Sequence, residues 1–445
     1  MGRRSRSRTL DAWINGQFVG HWRMPARGDH VFQYDPGWIA SPEGRPLSLS
    51  LPFTPDNQPL RGNAVESYFD NLLPDSEDIR RRLQSRFATQ SRDAFDLLAA
   101  IGRDCAGAVQ LLPEGEAAAP IDTIQVEPLD EGRIEHLIER ATTSPAGAWG
   151  EDDDFRISIA GAQEKTAFTW HGGRWCRPLG STPTTHIFKL PLGLVGHRQA
   201  DMRTSVENEW LCARLLHAFG LPVAPCEMRQ FGKQKVLVVE RFDRKLAQSG
   251  GYWLRLPQED FCQATGTPAS AKYEADGGPG LVAISRILHS SLARDEDLAT
   301  LMRAQLLFWM LAATDGHAKN FSIHLLPGAR FRMTPLYDVL SAWPVTGEGA
   351  NRLDYRKLRL AMALRGRNVH YHLSEIRRRH FNETARLCGS GADMDPIIDD
   401  VVARTPGAIA QVGAMLPPGF PEDVFDAVKA GLSRLADQVD RDRNS

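Results

Sequence analysis

Ala312-Ala313-Thr314-Asp315-Gly316-His317-Ala318-Lys319-Asn320-Phe321 lies where a long apolar run gives way to alternation. Upstream, residues 298–311 hold Leu301, Met302, Leu306, Phe308 and Trp309, a run too long for a strand that predicts a buried helix. Downstream, Phe321-Ser322-Ile323-His324-Leu325 predicts a strand and Pro327-Gly328 a turn. Residues 331–336 predict a returning strand that runs into Tyr337-Asp338. Asp315 and Asn320 are therefore expected on a loop between helix and hairpin, with Asp338 at the hairpin's far end.

Phosphoryl transfer needs those parts. One carboxylate must orient an attacking hydroxyl and accept its proton, and an oxygen-ligand pair must hold Mg2+ on the nucleotide phosphates. Protein kinases set the base and an Asn five residues apart in one loop and return the second metal-binding Asp on the next hairpin. Asp315 and Asn320 have that spacing, and Asp338 follows one hairpin later. The blander reading is an Asp-Gly turn, a helix cap and an unrelated surface Asp, so the rest of the chain must decide.

A chain of 445 residues has room for two to four domains with real cores. Its 42% hydrophobic and 24% charged residues are ordinary for a globular protein, which excludes wholesale disorder. A formal net charge of -2 argues against a protein built to coat nucleic acid, though it leaves room for a local basic patch. The cysteines at 105, 176, 212, 226, 262 and 388 form no C-x-x-C pair and follow no secretory leader, so reduced cytosolic thiols are expected. Arg3, Arg4, Arg6 and Arg8 precede no apolar stretch, which predicts a solvated tail, neither signal peptide nor membrane span. There are no internal repeats.

In chain order, residues 9–128 read as an α+β unit. Asn15-Gly16 marks a hairpin, 32–39 and 47–51 read as strands, and 63–73, 79–87 and 91–101 as helices. Residues 112–128, rich in Pro, Glu and Ala, read as a linker. A second unit, 129–245, opens with a helix and an acidic loop, then a short strand at 155–159. The small-residue loop Ala160-Gly161-Ala162-Gln163-Glu164-Lys165 follows. Such a loop can lay backbone N–H groups over phosphates; it lacks G-x-G-x-x-G, and in isolation a plain hairpin turn is the better reading. Residues 186–191 form a strand with one lysine, Lys189, either an edge residue that snorkels or the lysine that neutralises nucleotide phosphates. A helix over 205–219, stopped by Gly220 and Pro222, offers Glu207 and Glu209 as its partner. At 100° per residue they point about 200° apart. Glu209 shares the side of Val206 and Leu216 and is preferred; Glu207 is then expected toward solvent. Strands at 226–230 and 236–239 lead into Glu240-Arg241-Phe242, where a hinge for adenine should lie. Residues 246–445 read as helical around the catalytic loop, with a helix starting at Pro257 and others at 281–292, 298–313, 357–364, 373–388, 394–404, 409–415 and 420–438.

The order of these parts is that of a two-lobed protein-kinase-like fold, α+β, with an extra N-terminal α+β subdomain and an all-α large lobe. Several long stretches carry a closer likeness: residues 155–166, Thr185-His186-Ile187-Phe188-Lys189-Leu190-Pro191, Arg255-Leu256-Pro257-Gln258-Glu259-Asp260, and Ala313 through Asn320. With Asp70-Asn71-Leu72-Leu73-Pro74-Asp75 and Ile101-Gly102-Arg103-Asp104, the chain resembles the HipA family of bacterial toxin kinases nearly end to end. The resemblance implies an ATP- and Mg2+-dependent serine/threonine kinase, cytoplasmic and nucleoid-associated when bound to its antitoxin. Its substrate would be an aminoacyl-tRNA synthetase, typically the glutamyl enzyme, whose phosphorylation blocks translation and promotes dormancy. Its partner would be a small HipB-like helix-turn-helix antitoxin that carries it to operator DNA. By motif, Asp315 resembles the catalytic base, Asn320 and Asp338 the metal ligands, Lys189 the nucleotide lysine, and Glu240 and Phe242 the adenine-contacting hinge. Ser158 matches a self-phosphorylated serine. Phosphate there adds nearly two negative charges beside the loop meant to cover ATP, so phosphorylation is expected to inactivate. Lys319, beside the base, is placed either to stabilise the transferring phosphoryl group or to face solvent, and His317 has no second ligand at metal spacing. Two alternatives remain: a kinase fold acting on a small-molecule hydroxyl, and a non-catalytic corepressor reaching DNA through a cluster such as Arg377-Arg378-Arg379.

Overall fold

The computed structural model describes residues 7–143, 160, 161, 163–196 and 198–444. Ser158, Ala162 and the acidic stretch 151–154 lie outside the described residues.

The N-terminal unit is built on a five-stranded antiparallel sheet. Its spatial order is Leu60–Arg61, Val31–Tyr34, Gln17–Met24, Arg8–Ile14, Val109–Pro113. Asn15 and Gly16 turn the first hairpin with φ of 46° and 77°, the left-handed pair that the twist of a two-residue hairpin requires. Trp22 stacks on Phe69 of the helix Asn63–Asp70 at 3.9 Å, which fixes that helix on the sheet. The strand expected over 32–39 stops at Tyr34. Asp35 accepts from the Gly37 and Trp38 N–H groups and Pro36 opens a helix, so local capping overrides the apolar run. The strand expected at 47–51 reduces to one bridge between Ser48 and Leu51.

The second sheet has six antiparallel strands in the order Cys226–Phe231, Gln234–Glu240, His186–Lys189, Lys165–His171, Arg174–Pro178, Val126–Pro128. Its last strand comes from the stretch read as linker. The helix Ser205–Ala218 packs across the other end of this sheet.

The third unit is not all-helical. The helix Arg294–Met310 runs through its core with Leu301, Leu306, Leu307, Phe308 and Trp309 almost wholly buried. Leu281–Leu288, Arg378–Leu387, Asp395–Gly413 and Glu422–Arg441 surround it. The expected helices 394–404 and 409–415 are one helix, with Pro406 in its interior. A three-stranded sheet, Gln258–Asp260, Ser322–Leu326 and Arg330–Met333, lies beneath the cleft. The helix expected from Pro257 begins only at Phe261, where Asp260 and Gln263 close a capping box. The helix expected at 357–364 is the strand Arg359–Arg365, paired with Val369–His372. Arg378, the middle of the basic triplet, is buried and bonds Asp395 and Asp399, so no three-arginine surface exists there. Among the described residues no helix is long and apolar enough to cross a membrane.

Candidate active site

The catalytic-loop stretch turns sharply off its helix. Ala312 takes a left-handed φ of 49°, and the Ala313 N–H still bonds Phe308 O at 2.7 Å. A Cβ on Gly316 would meet the buried Phe308 ring at 2.4 Å, so only glycine lets the loop lie this close to the helix. The Asn320 amide then ties the loop shut, donating to Asp315 O at 2.8 Å and, at 3.5 Å, to Asp338 O. The hairpin returns the chain to Asp338, which sits at φ 61°, a strained conformation of the kind concentrated at functional sites.

Across the cleft, Lys189 extends from its strand with Nζ 2.5 Å from Glu209 Oε1 and 2.9 Å from Asp338 Oδ1. Three elements, strand, helix and hairpin end, therefore meet on one ammonium. Burial works against the Lys189 charge, but Asp338 and Glu209 overcome it and hold the group above the ordinary lysine range. Burial likewise opposes the Asp338 carboxylate, yet Lys189 and then Lys165 bring it down to about 2. The helical phase thus picks the right glutamate for Lys189. It misplaces the other: Glu207 is 3% exposed, bonded to Lys235 at 2.5 Å, because the strand Gln234–Glu240 covers that side of the helix as well.

Asp315 is the exposed member of the group, with 59% of its side chain open to solvent. Its Oδ1 accepts the Tyr273 hydroxyl and lies 3.6 Å from His317 Nε2. The His317 ring meets Tyr273 edge-on at 5.1 Å, and burial lowers its pKa, which keeps it neutral. Asp315, His317, Lys319, Asn320, Asp338, Lys189, Lys165, Ala160, Gly161, Glu240 and Phe242 all line one cleft of about 1020 Å³, measured to its open mouth.

Some expected contacts turn elsewhere. Gln163 is buried against Leu190 O, and Glu164 pairs with Arg82 of the N-terminal unit. Arg241 borders the cleft, but its guanidinium is taken up by a buried cluster with Asp243 and Asp104. At the hinge the Glu240 and Arg241 N–H groups are taken by Pro225 O and Thr185 O at 2.8 and 2.9 Å. Phe242 packs on Tyr337 at 5.6 Å between ring centres, forming an aromatic floor. Lys319 does not face solvent; it is 6% exposed and bonds Asp75 at 2.7 Å. Asp75 and Lys272 are cleft residues to which sequence reasoning gave no role, and Tyr273 beside them bonds Asp315. Asp75 belongs to a unit with no visible chemistry of its own, and the sole signal was its place in the quoted 70–75 stretch.

The wall also leaves polar atoms that a ligand's donors or water would complete. Asn71 Oδ1, Gln258 Oε1 and His317 Nδ1 belong to cleft residues, and each is buried with no partner among the described residues. Orphaned buried polar atoms are costly unless a ligand or water completes them.

Comparison with known proteins decides the lineage. The HipA N-terminal domain matches residues 10–112, and the HipA-like C-terminal domain matches residues 157–409, more than half the chain. The chain belongs to the HipA family. A putative kinase of Sinorhizobium fredii, Y4mE, is 36% identical over 75% of this chain and 77% of its own length. The serine/threonine-protein kinase toxin HipA of Shewanella oneidensis is 28% identical over 92% of this chain and 90% of its own. The Shewanella oneidensis HipA of a complex with HipB and its operator DNA superposes with a TM-score of 0.77. It is 25% identical, and the match covers 98% of this chain and 100% of that one. This HipA-family chain is accordingly a kinase, and as such uses ATP.

Proposed function

We propose that this kinase transfers the ATP γ-phosphoryl group to a serine of an aminoacyl-tRNA synthetase, with the glutamyl enzyme as first candidate. It thereby arrests translation. The observation that carries the reading is the convergence of Lys189, Asp315, Asn320 and Asp338, drawn from 149 residues of separation between the outer pair, on one cleft. The donor set also fits the cofactors. Asp338 and Asn320 offer hard oxygen atoms of the kind Mg2+ prefers, with phosphates completing the shell. Bound ATP supplies the transferable phosphoryl group, and the ion would neutralise its β- and γ-oxygens.

The chain's own residues do the rest. Lys189, kept charged by its two carboxylates, offers fixed positive charge to the phosphate chain, and Lys165 stands beside it. Phe242 and Tyr337 present an apolar face for the base. Asp315, exposed at the cleft mouth, accepts the proton of the attacking serine hydroxyl while Asn320 holds its backbone. Self-phosphorylation at Ser158 silences the enzyme through charge repulsion beside the nucleotide. Its partner is a HipB-like helix-turn-helix antitoxin, and its route to operator DNA runs through that protein.

The test pairs the intact chain with Asp315→Asn, each incubated with labelled ATP and purified synthetases. Label on the glutamyl enzyme from the intact chain alone supports the reading, and label on a different synthetase moves the target. Growth arrest by both versions alike would remove phosphoryl transfer as the cause of toxicity. ATP binding by a sample uniformly phosphorylated at Ser158 should be weaker than by the unmodified protein.

A further inference from the structure

The kinase cleft has a third wall, supplied by the N-terminal unit. Pro74-Asp75 follows the helix Asn63–Asp70 and reaches the cleft. Pro74 forms a parallel bridge with Gly161, and the Asp75 N–H donates to Gly161 O at 3.1 Å. The Asp75 carboxylate, 12% exposed, splits its oxygens: Oδ1 takes Lys319 Nζ at 2.7 Å and Oδ2 takes Lys272 Nζ at 2.8 Å. Lys319 lies in the catalytic loop one residue before Asn320. Lys272 adjoins Tyr273, whose hydroxyl donates to Asp315.

We propose that Asp75 is a positioning residue for phosphoryl transfer, holding Lys319 and Lys272 in place and fixing the catalytic loop against the small-residue loop. The inference rests on the kinase reading above and deepens it. Two ammonium groups on one carboxylate would repel each other without it. They would then swing toward the strongest anion available, which in this cleft is a nucleotide's phosphate chain. Asp75 therefore competes with the nucleotide for both lysines. Its loss is expected to leave nucleotide binding intact or tighter while degrading the geometry of transfer. A residue that only supported the fold would weaken both together.

The full-length chain is compared as wild type, Asp75→Asn, Asp75→Glu, Lys272→Gln and Asp315→Asn. Two quantities are read: the maximal rate of label transfer from ATP to protein, with the chain itself and glutamyl-tRNA synthetase as acceptors, and the Kd of a fluorescent ATP analogue. Asp75→Asn should lower the maximal rate by roughly 10- to 100-fold, the usual effect of losing a group that orients an active-site ligand, with Kd unchanged or lower. Asp75→Glu, which keeps the charge, should recover part of the rate. Lys272→Gln, which leaves the Asp75–Lys319 pair intact, should lose several-fold and stands in if Asp75→Asn fails to fold. An unchanged maximal rate in Asp75→Asn overturns the proposal. So does weaker nucleotide binding, or an Asp75→Glu rate no better than that of Asp75→Asn. Absence of transfer by wild type itself would fault the kinase reading, and the Kd comparison would still judge Asp75.

Discussion

Lys165 and Lys189 stand directly opposite each other on neighbouring antiparallel strands. Like charges so placed repel, and burial removes the water that would screen them. Asp338 and Glu209 absorb the Lys189 charge, whereas Lys165 bonds only the Ala160 carbonyl among the contacts its ammonium makes in the described residues. The cost falls on Lys165, which burial pulls down to about 8 against the opposing attraction of Asp338. A lysine poised there is charged below that pH and neutral above it, and only the charged form attracts phosphate. Because kcat/KM reports ionisations of the free enzyme, kcat/KM for ATP should fall as pH rises past about 8. Lys165→Met should give a lower profile that lacks this limb. A wild-type profile flat from roughly pH 7 to 9.5 would remove Lys165 from nucleotide binding.

The strand His186–Lys189 and the helix Ser205–Ala218 are held in register by a charge pair that is 5% and 4% exposed. Removing one partner of a buried pair leaves the other without compensation and costs about 3–5 kcal/mol. Lys189→Met is therefore expected to be strongly destabilised in urea melts. Lys189→Met with Glu209→Leu should regain part of that stability, Asp338 still lacking its lysine, yet remain without transfer activity, which separates the pair's structural and chemical roles. A double variant as unstable as the single one would show that the element contact does not rest on this pair. The helix itself was legible in the sequence, because Gly220 and Pro222 punctuate it and its phase marks Glu209. Glu207 was not, since Ser205 through Cys212 are all buried and those first turns have no solvent face for the phase to reveal. Residues 358–364 misled for a related reason: from Leu360 to Leu364 both faces are buried, Ala361 and Ala363 lying between Leu360, Met362 and Leu364, so the apolar run satisfies helix and strand alike. The strand Gln258–Asp260 exists only through its pairing with Ser322–Leu326, a partner far away in sequence. The cleft's central residues were legible from spacing, whereas Asp75 reaches Lys319 across 244 positions that no local pattern spans.

At the scale of the whole molecule, the N-terminal unit is fastened to the kinase lobes by buried charge. Asp104 accepts from Thr184 N–H and Oγ at 3.1 and 2.7 Å and from Arg244 Nη2 at 2.9 Å, with Arg241 and Arg255 within 3.4 Å. Asp243 pairs with Arg241 and Arg244 and also accepts the Gly107 N–H at 2.7 Å, so the hinge side answers with its own carboxylate. Three guanidinium groups face two carboxylates, and Asp104→Asn would leave them facing one. The expected loss is about 3–5 kcal/mol, seen as an earlier urea transition in which the N-terminal unit detaches before the lobes unfold. Burial works against the Asp104 charge, but Arg244, Arg241 and Arg255 hold its carboxyl far below the ordinary carboxylate range. A group depressed in the folded state contributes fully above its unfolded value, about 4 for an aspartate, and its contribution drains away as pH falls below that. The gap between wild type and Asp104→Asn should accordingly be constant from neutral pH down to about 5 and narrow in stronger acid. A gap that widens in acid would mean that the cluster is held by something other than the Asp104 charge.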